Sequence, residues 1–579
     1  MAGPEQRESD LDWWRRDPAL LQVELEAFDA HGAEASILFQ EYGSLILAVR
    51  WPTERGALDL RVGYCPTHPC GRPSVATADL TLSRHQDPFS GTLCLLTQET
   101  GQWLSGETAA DLIAAQLPRA IEASGAHEGG RAAEAAGLEE HAPDPLTTYF
   151  SHQCDRDSVV LYDADIRVPS GDWGPAGFTV RDRPTGGVEI ILRTLKPTRG
   201  LWMANPFEPW PETSPVSAAA GRWVRLRPQA TADLESLAKQ AAAIIARDET
   251  GPRSKASRGG TAKAPGTPEL TVILFDEEVE YGRQGPACLF LFRGPDAKLA
   301  LLRGHRIAPD LLARSPVSAG LRVKQALLVG AGAIGGFVAL ELVRAGLGRL
   351  DVTDGDCVEP GNSVRWALGR EYWGRPKAHA LADHAMRHYP MSQVHGYLGR
   401  VGGALNNPDY VRELGGHPLE WLRERVLAAD VVLDATASVE CQMFLQWFCR
   451  RHGRPYIFGH ATQGAVGGVV ARFDVDGSAC RGCLGEHWTD GTLPEPVEDP
   501  AGVLTPVGCN QPTFTGGAFD LQEVSMEMVR TALGALVPDL YPRGGNGLGV
   551  VDLEINGRRA APRWTVSDIP SHPRCGCAR

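Results

Sequence analysis

Long hydrophobic runs are missing from this chain. No stretch reaches about 18 apolar residues, the length a membrane-spanning helix needs, so a membrane protein of that type is not expected. Positive charge is in deficit: 57 Lys and Arg face 71 Asp and Glu, a formal net charge of −14, which argues against a general nucleic-acid surface. Cysteine is sparse, with 13 in 579 residues, too few to lace so long a chain into a disulfide scaffold. Thiol chemistry or metal binding in a reducing cytoplasm is the expectation. The opening MAGPEQRESDLDWWRRD is polar and charged and has no signal-peptide core. No internal repeat is found. What the chain does have is 43% hydrophobic residues over a length that suits three or four domains.

The richest stretch is Leu327 to Lys377. An apolar run, Ala326 to Val329, meets Gly330-Ala-Gly332-Ala-Ile-Gly335. A helical pattern follows, then a short strand ending on Asp354. This is a βαβ unit whose glycines let the backbone approach a phosphate-bearing ligand at a helix N-terminus. Asp354 lies 19 residues after Gly335, where an acid that holds a ribose is expected. Alone, the motif reads as a nicotinamide or flavin site. Asp356, Asn362, Arg365 and Lys377 redirect it, because a dehydrogenase requires no such set. Transfer of AMP onto a carboxylate gathers charge on phosphate oxygens, and Arg and Lys clamps with Mg²⁺ neutralise that charge.

Upstream, residues 1–125 read as an α+β domain. A helix over Leu20–Phe28 precedes strands Ala35–Phe39, Ser44–Trp51, Leu58–Tyr64 and Ala78–Leu82. A proline-rich loop carries Cys65 and Cys70, taken as structural. His85-Gln86-Asp87 leads to Gly91-Thr-Leu-Cys94, then Trp103 and a helix over about 107–123. Residues 126–145 form a small-residue linker, 146–249 a connecting domain, 250–268 a basic flexible linker, 269–314 a connecting segment, and 315–579 the nucleotide domain.

The N-terminal order resembles a ubiquitin-conjugating enzyme, with Cys94 at the thioester position. That family places His-Pro-Asn ahead of its cysteine; here His85-Gln86-Asp87 stands there, leaving His85 a structural role and Gln86 as the candidate amide for an oxyanion. Residues 315–579 resemble the ThiF/MoeB and ubiquitin-activating family. The resemblance implies that Gly330, Gly332 and Gly335 lie against ATP, that Asp354 holds the ribose, and that Asn362, Arg365 and Lys377 contact the phosphates. That family often takes its Arg from a neighbouring protomer, which implies a homodimer. It also commonly has a magnesium-holding Asp three residues after the one matching Asp434. Ala437 occupies that place, so the role falls to Asp434 or Asp356, or the metal site is rearranged.

Two cysteine pairs, Cys480-Arg-Gly-Cys483 and Cys575-Gly-Cys577, suit a four-thiolate Zn²⁺ site with no open position for chemistry. Between them Cys509 stands after a Pro- and Gly-containing loop. In the resembling family a cysteine there can take the acyl group.

The expected fold is multidomain, α/β and α+β: a conjugating-like N-terminal domain, a central connecting domain and a C-terminal Rossmann-like adenylation domain. The expected function is a relay. The C-terminal carboxylate of a protein substrate is adenylated with ATP and Mg²⁺, passes to Cys509, then Cys94, then a target amine. Such fusions resemble the ubiquitin-transferase-like component of bacterial CBASS antiphage operons. The substrate is then a cGAS-like nucleotidyltransferase or a ubiquitin-like protein. Three rivals stay open: a sulfur-carrier adenylyltransferase, an NAD(P)-dependent oxidoreductase, and a non-catalytic scaffold.

Overall fold

A computed structural model describes residues 12–96 apart from 42 and 55, then 103 and 106–128, 146–150, 154–183 apart from 164, 165 and 167, 187–195, 202–203, 217–228, 233–249, 269–293 apart from 281 and 282, 298–307, 315–401 apart from 390, 418–504, 513–543 and 547–578. These residues fall into two compact units, one up to residue 307 and one from residue 308.

The first unit opens with the helix Pro18–Ala30. Asp17 caps its first turn by accepting from the Leu20 amide at 3.3 Å, and Pro18 needs no partner at the first helical position. An antiparallel meander follows: Glu34–Glu41, Ser44–Thr53, Gly56–Tyr64, Ser74–Thr77 and Thr92–Leu93. Leu45, Leu47, Val49 and Trp51 alternate inward along the second strand and pack on Phe28, Ile113 and Leu117 of the flanking helices. Buried Glu24 ties the layers together. It accepts from Tyr64 Oη at 2.7 Å and from the Ala109 amide, which opens the helix Ala109–Glu128, at 2.9 Å.

The strand expected at Ala78–Leu82 is not formed; the ladder ends at Thr77. Side chains have taken its backbone groups. Thr77 Oγ1 accepts from the Asp79 amide, and Gln86 binds both the Leu82 amide and the Leu80 carbonyl. Such local bonds compete with a sheet ladder.

The second sheet corrects the expected division of the middle of the chain. Cys154–Asp163, Leu299–Ile307, Arg283–Arg293, Glu269–Glu280, Ser217–Arg225, Trp173–Asp182 and Val188–Leu195 pair in that order, and Cys154–Asp163 also pairs with Val188–Leu195. Seven strands therefore close into a ring filled by Tyr162, Phe178, Trp223, Val272, Leu274 and Phe290. Strands from 146–249 and from 269–314 share this one layer, because Ser217–Arg225 and Glu269–Glu280 are adjacent and parallel. A parallel pair needs a crossover, and the helix Leu234–Glu249 lies within it.

The second unit is an eight-stranded sheet. Its parallel part runs Gln393–Leu398, Arg349–Asp354, Gln325–Val329, Val431–Asp434, Tyr456–Ala461; Gly467–Phe473, Gly547–Ile555 and Arg558–Asp568 continue it antiparallel. Strand order reverses about Gln325–Val329. In open α/β sheets, ligands bind beyond the carboxyl ends of strands at such a switch point. The glycine turn begins there. No helix among the described residues is long and apolar enough to cross a membrane.

Candidate active site

Each glycine of the turn meets a different constraint. Gly330 has φ +92°, and a Cβ there would lie 2.8 Å from the Ala435 carbonyl carbon. A Cβ on Gly335 would stand 1.9 Å from the Gly330 oxygen, so only glycine lets the helix Ala333–Arg344 start this close to the turn. At Gly332 a Cβ would meet nothing within 4 Å: this residue faces open space.

An open cleft lies against the turn. Gly332, Asn362, Arg365 and Lys377 share its lining with Ile334, Trp366, Ala437, Ala461 and Leu521. Asn362 stands in the 3₁₀ turn Pro360–Val364, where its Oδ1 accepts from the Glu359 amide at 3.0 Å. Arg365 follows directly, and desolvation by burial lowers its pKa. Lys377 opens the helix Lys377–His388. Both cations therefore belong to the same chain as the glycine turn.

The three acids lie outside that lining. Asp354 clamps the turn from behind: its Oδ2 accepts from the Ala331 amide at 2.6 Å and its Oδ1 from the Asp356 amide at 2.7 Å. Burial pushes its pKa up, against the pull of Lys377. Asp356 is half exposed, with one oxygen 3.2 Å from Lys377 Nζ and the other 3.2 Å from an Arg400 nitrogen. Asp434 is fully buried. Its Oδ1 accepts from the Thr436 amide and hydroxyl at 2.9 and 2.7 Å, and its Oδ2 from Tyr456 Oη at 2.7 Å. Burial raises its pKa. These contacts occupy both oxygens inside the core, so Asp434 does not fit the magnesium role expected of it. Asp356 is spanned by two cations, Lys377 and Arg400, at the more exposed side of the turn. Ala437 holds a left-handed φ of +58° at the cleft wall.

Sequence reasoning passed over Trp366. Its indole Nε1 donates to the Ala331 carbonyl at 2.7 Å and lies beside Gly336, so it staples the Asn362–Arg365 turn to the glycine turn. The signal was a large aromatic directly after Arg365: a buried indole must find an acceptor. Arg400 was passed over as well, and no local pattern marked it.

The four cysteines expected to bind zinc converge. Cys480 caps the helix Arg481–Thr489, and Cys483 lies in its first turn. Their Sγ atoms are 3.8 Å apart; Cys480 is 3.5 Å from Cys575, and Cys483 is 3.3 Å from Cys577. Four thiolates around Zn²⁺ at about 2.3 Å would stand roughly 3.8 Å apart, so the set fits the ion. All four are free thiols. His572 Nε2, 2.8 Å from Asp490 Oδ2, and His487 Nε2, 3.1 Å from the Pro570 carbonyl, clasp the same tail.

Cys94 is partly buried, and its amide donates to the His85 carbonyl at 2.7 Å. Gly91 has φ +71°, and a Cβ there would strike the Thr77 oxygen at 2.4 Å, so the Gly-x-x-Cys spacing has a steric cause. Gln86 does not serve as the free amide that was expected. Its Nε2 donates to the carbonyls of Leu80, Thr77 and Gly91 at 3.0, 3.2 and 3.3 Å, and its Oε1 accepts from the Leu82 amide. It braces the loop. Cys509 lies outside the described residues.

The second unit is a Rossmann-like α/β domain with a cationic cleft at its switch point, and residues 312–509 match the ThiF family. The whole chain belongs to the family of protein y4oA of Sinorhizobium fredii, to which it is 44% identical over 585 residues, covering 99% of this chain and 98% of that protein. It is 30% identical over 179 residues to the adenylyltransferase and sulfurtransferase MOCS3 of Mus musculus, covering 31% of this chain and 35% of MOCS3. It is 35% identical over 83 residues, 14% of each chain, to the ATP-dependent ubiquitin transferase-like protein Cap2 of Enterobacter hormaechei.

Proposed function

We propose that this protein adenylates the C-terminal carboxylate of a protein substrate with ATP and hands the acyl group to Cys509, then to Cys94, then to a target amine. The observation that carries the reading is the convergence of Gly332, Asn362, Arg365 and Lys377 on one cleft at the strand-order switch. The ThiF match, and relatives named as an adenylyltransferase and as an ATP-dependent ubiquitin transferase-like protein, agree with it.

The substrate carboxylate oxygen attacks the α-phosphorus, and pyrophosphate leaves. Arg365 and Lys377 neutralise charge on the phosphate oxygens, and the turn amides at the start of the helix Ala333–Arg344 hold a phosphate where Gly332 lets it approach. Bound Mg²⁺ would add charge neutralisation through the phosphates themselves. A thiolate of Cys509 then attacks the acyl carbon and releases AMP; Cys94 takes the acyl group by thioester exchange. Zinc at Cys480, Cys483, Cys575 and Cys577 is structural. The substrate is a cGAS-like nucleotidyltransferase or a ubiquitin-like protein in bacterial antiphage defence, and the enzyme works in the cytoplasm as a homodimer.

The test is incubation with ATP·Mg²⁺ and each candidate substrate, with ATP–pyrophosphate exchange and DTT-sensitive adducts as readouts. Native protein loads both thiols. Cys509→Ala abolishes loading of Cys94, and Cys94→Ala traps the substrate on Cys509. Loading of Cys94 in Cys509→Ala would overturn the order of transfer, and absence of exchange with every substrate would overturn adenylation.

A further inference from the structure

We propose that the closed second sheet of the first unit is a platform that sets the position of the Cys94 loop, and that Arg84 is its positioning residue. The inference rests on the acceptor role proposed for Cys94.

The loop from Ser83 to Cys94 is gripped from two sides. On its own domain, the Ser83 amide donates to Ser124 Oγ at 2.8 Å, and Gln86 ties down the backbone of residues 77–91. On the other side Arg84 forms an ion pair through both terminal nitrogens with Glu278, near the end of the strand Glu269–Glu280. The Arg84 side chain is 4% exposed and that of Glu278 12%. Five residues on, Phe89 packs edge-on against Phe150, ring centres 5.0 Å apart, at the rim of the apolar core formed with Ile273, Phe275 and Leu289.

The path from this grip to the thiol is short. Arg84 precedes His85, which holds a left-handed φ of +59° and whose carbonyl accepts the Cys94 amide at 2.7 Å. Gln86 bridges to Leu93, the residue before Cys94. A shift of Arg84 therefore moves the acceptor that anchors Cys94. A near-buried guanidinium–carboxylate pair costs desolvation, and breaking it by removing one partner is worse than never having made it. Geometric specificity is what such a planar, two-point contact adds. Here it fixes a loop carrying a nucleophile against a rigid layer, and that turns residues 154–307 from a spacer into part of the transfer machinery.

The test uses the full-length chain with Glu278→Gln, which keeps shape and removes charge, and Arg84→Lys, which keeps charge and removes the two-point contact. Iodoacetamide labelling is followed thiol by thiol by peptide mass spectrometry, with exposed Cys70 as the reference in the same domain. Labelling of Cys94 is expected to accelerate on the order of tenfold in both variants, because the loop opens more often, while Cys70 is unchanged. Equal rates at Cys94 in native and variant proteins would overturn the proposal, as would parallel acceleration of Cys94 and Cys70, which reports loosening of the whole domain. Labelling needs neither ATP nor substrate. Acyl loading of Cys94, measured separately, can therefore fail without deciding the outcome here.

Discussion

Two alanine substitutions in one turn should have opposite effects. In Gly335→Ala the new methyl carbon stands 1.9 Å from the Gly330 oxygen and 3.2 Å from the Ala435 Cβ. No rotamer relieves a Cβ contact, so the first turn of the helix Ala333–Arg344 must move. Overpacking of that kind costs about 1–3 kcal/mol. For a domain of this size each kcal/mol lowers the unfolding temperature by roughly 2–4 °C, so a fall of about 2–12 °C is expected. In Gly332→Ala the methyl meets nothing within 4 Å, and the φ of −74° suits alanine. Stability should change by no more than about 1 kcal/mol, the difference between glycine and alanine at a helix start. ATP binding should nevertheless weaken, because the methyl enters the space a phosphate would occupy. Loss of one charge-assisted bond from a turn amide is worth about 1.5–3 kcal/mol, or roughly tenfold to hundredfold in Kd. Calorimetry supplies both numbers, one by thermal scan and one by titration with ATP. Native ATP affinity in Gly332→Ala would refute the placement of a phosphate on this turn. An unchanged unfolding temperature in Gly335→Ala would refute the steric argument.

Purified protein is expected to hold one Zn²⁺ per chain, and Cys480→Ser with Cys577→Ser to lose it and unfold the second unit at lower temperature; metal analysis showing no zinc in native protein would exclude the site. Burial, with Arg481 nearby, lowers the His460 pKa from 6.5 to about 4. The folded state thus favours neutral imidazole, so its contribution is complete above pH 6.5 and is lost as pH falls towards 4. The loss is at most about 3 kcal/mol, and urea unfolding midpoints of native protein and His460→Gln should converge over that range.

The cleft was legible because its parts are local. Gly330 to Gly335, Asn362 to Arg365 and Lys377 sit close together in sequence on one βαβ unit, and each residue type states its chemistry. Asp434 misled because its environment is set from afar, by Tyr456 on the neighbouring strand and by Thr436. Gln86 misled similarly: a side-chain amide reads as available until three carbonyls are found around it. The convergence of the two cysteine pairs was legible although 92 positions separate Cys483 from Cys575, since paired thiols announce themselves at any distance. The shared second sheet was hidden, because strand pairing across Thr250–Pro268 leaves no mark in either partner.

That sheet makes covalent continuity and structural continuity different things in this protein. The strands on either side of residues 250–268 lie next to each other in a closed ring, each hydrogen-bonded along its length to a neighbour. A single cut between 250 and 268 therefore severs the chain without severing the layer. The two fragments should stay associated under native conditions and separate only in denaturant. A protease nick there would show on a denaturing gel while the molecule in solution kept its mass.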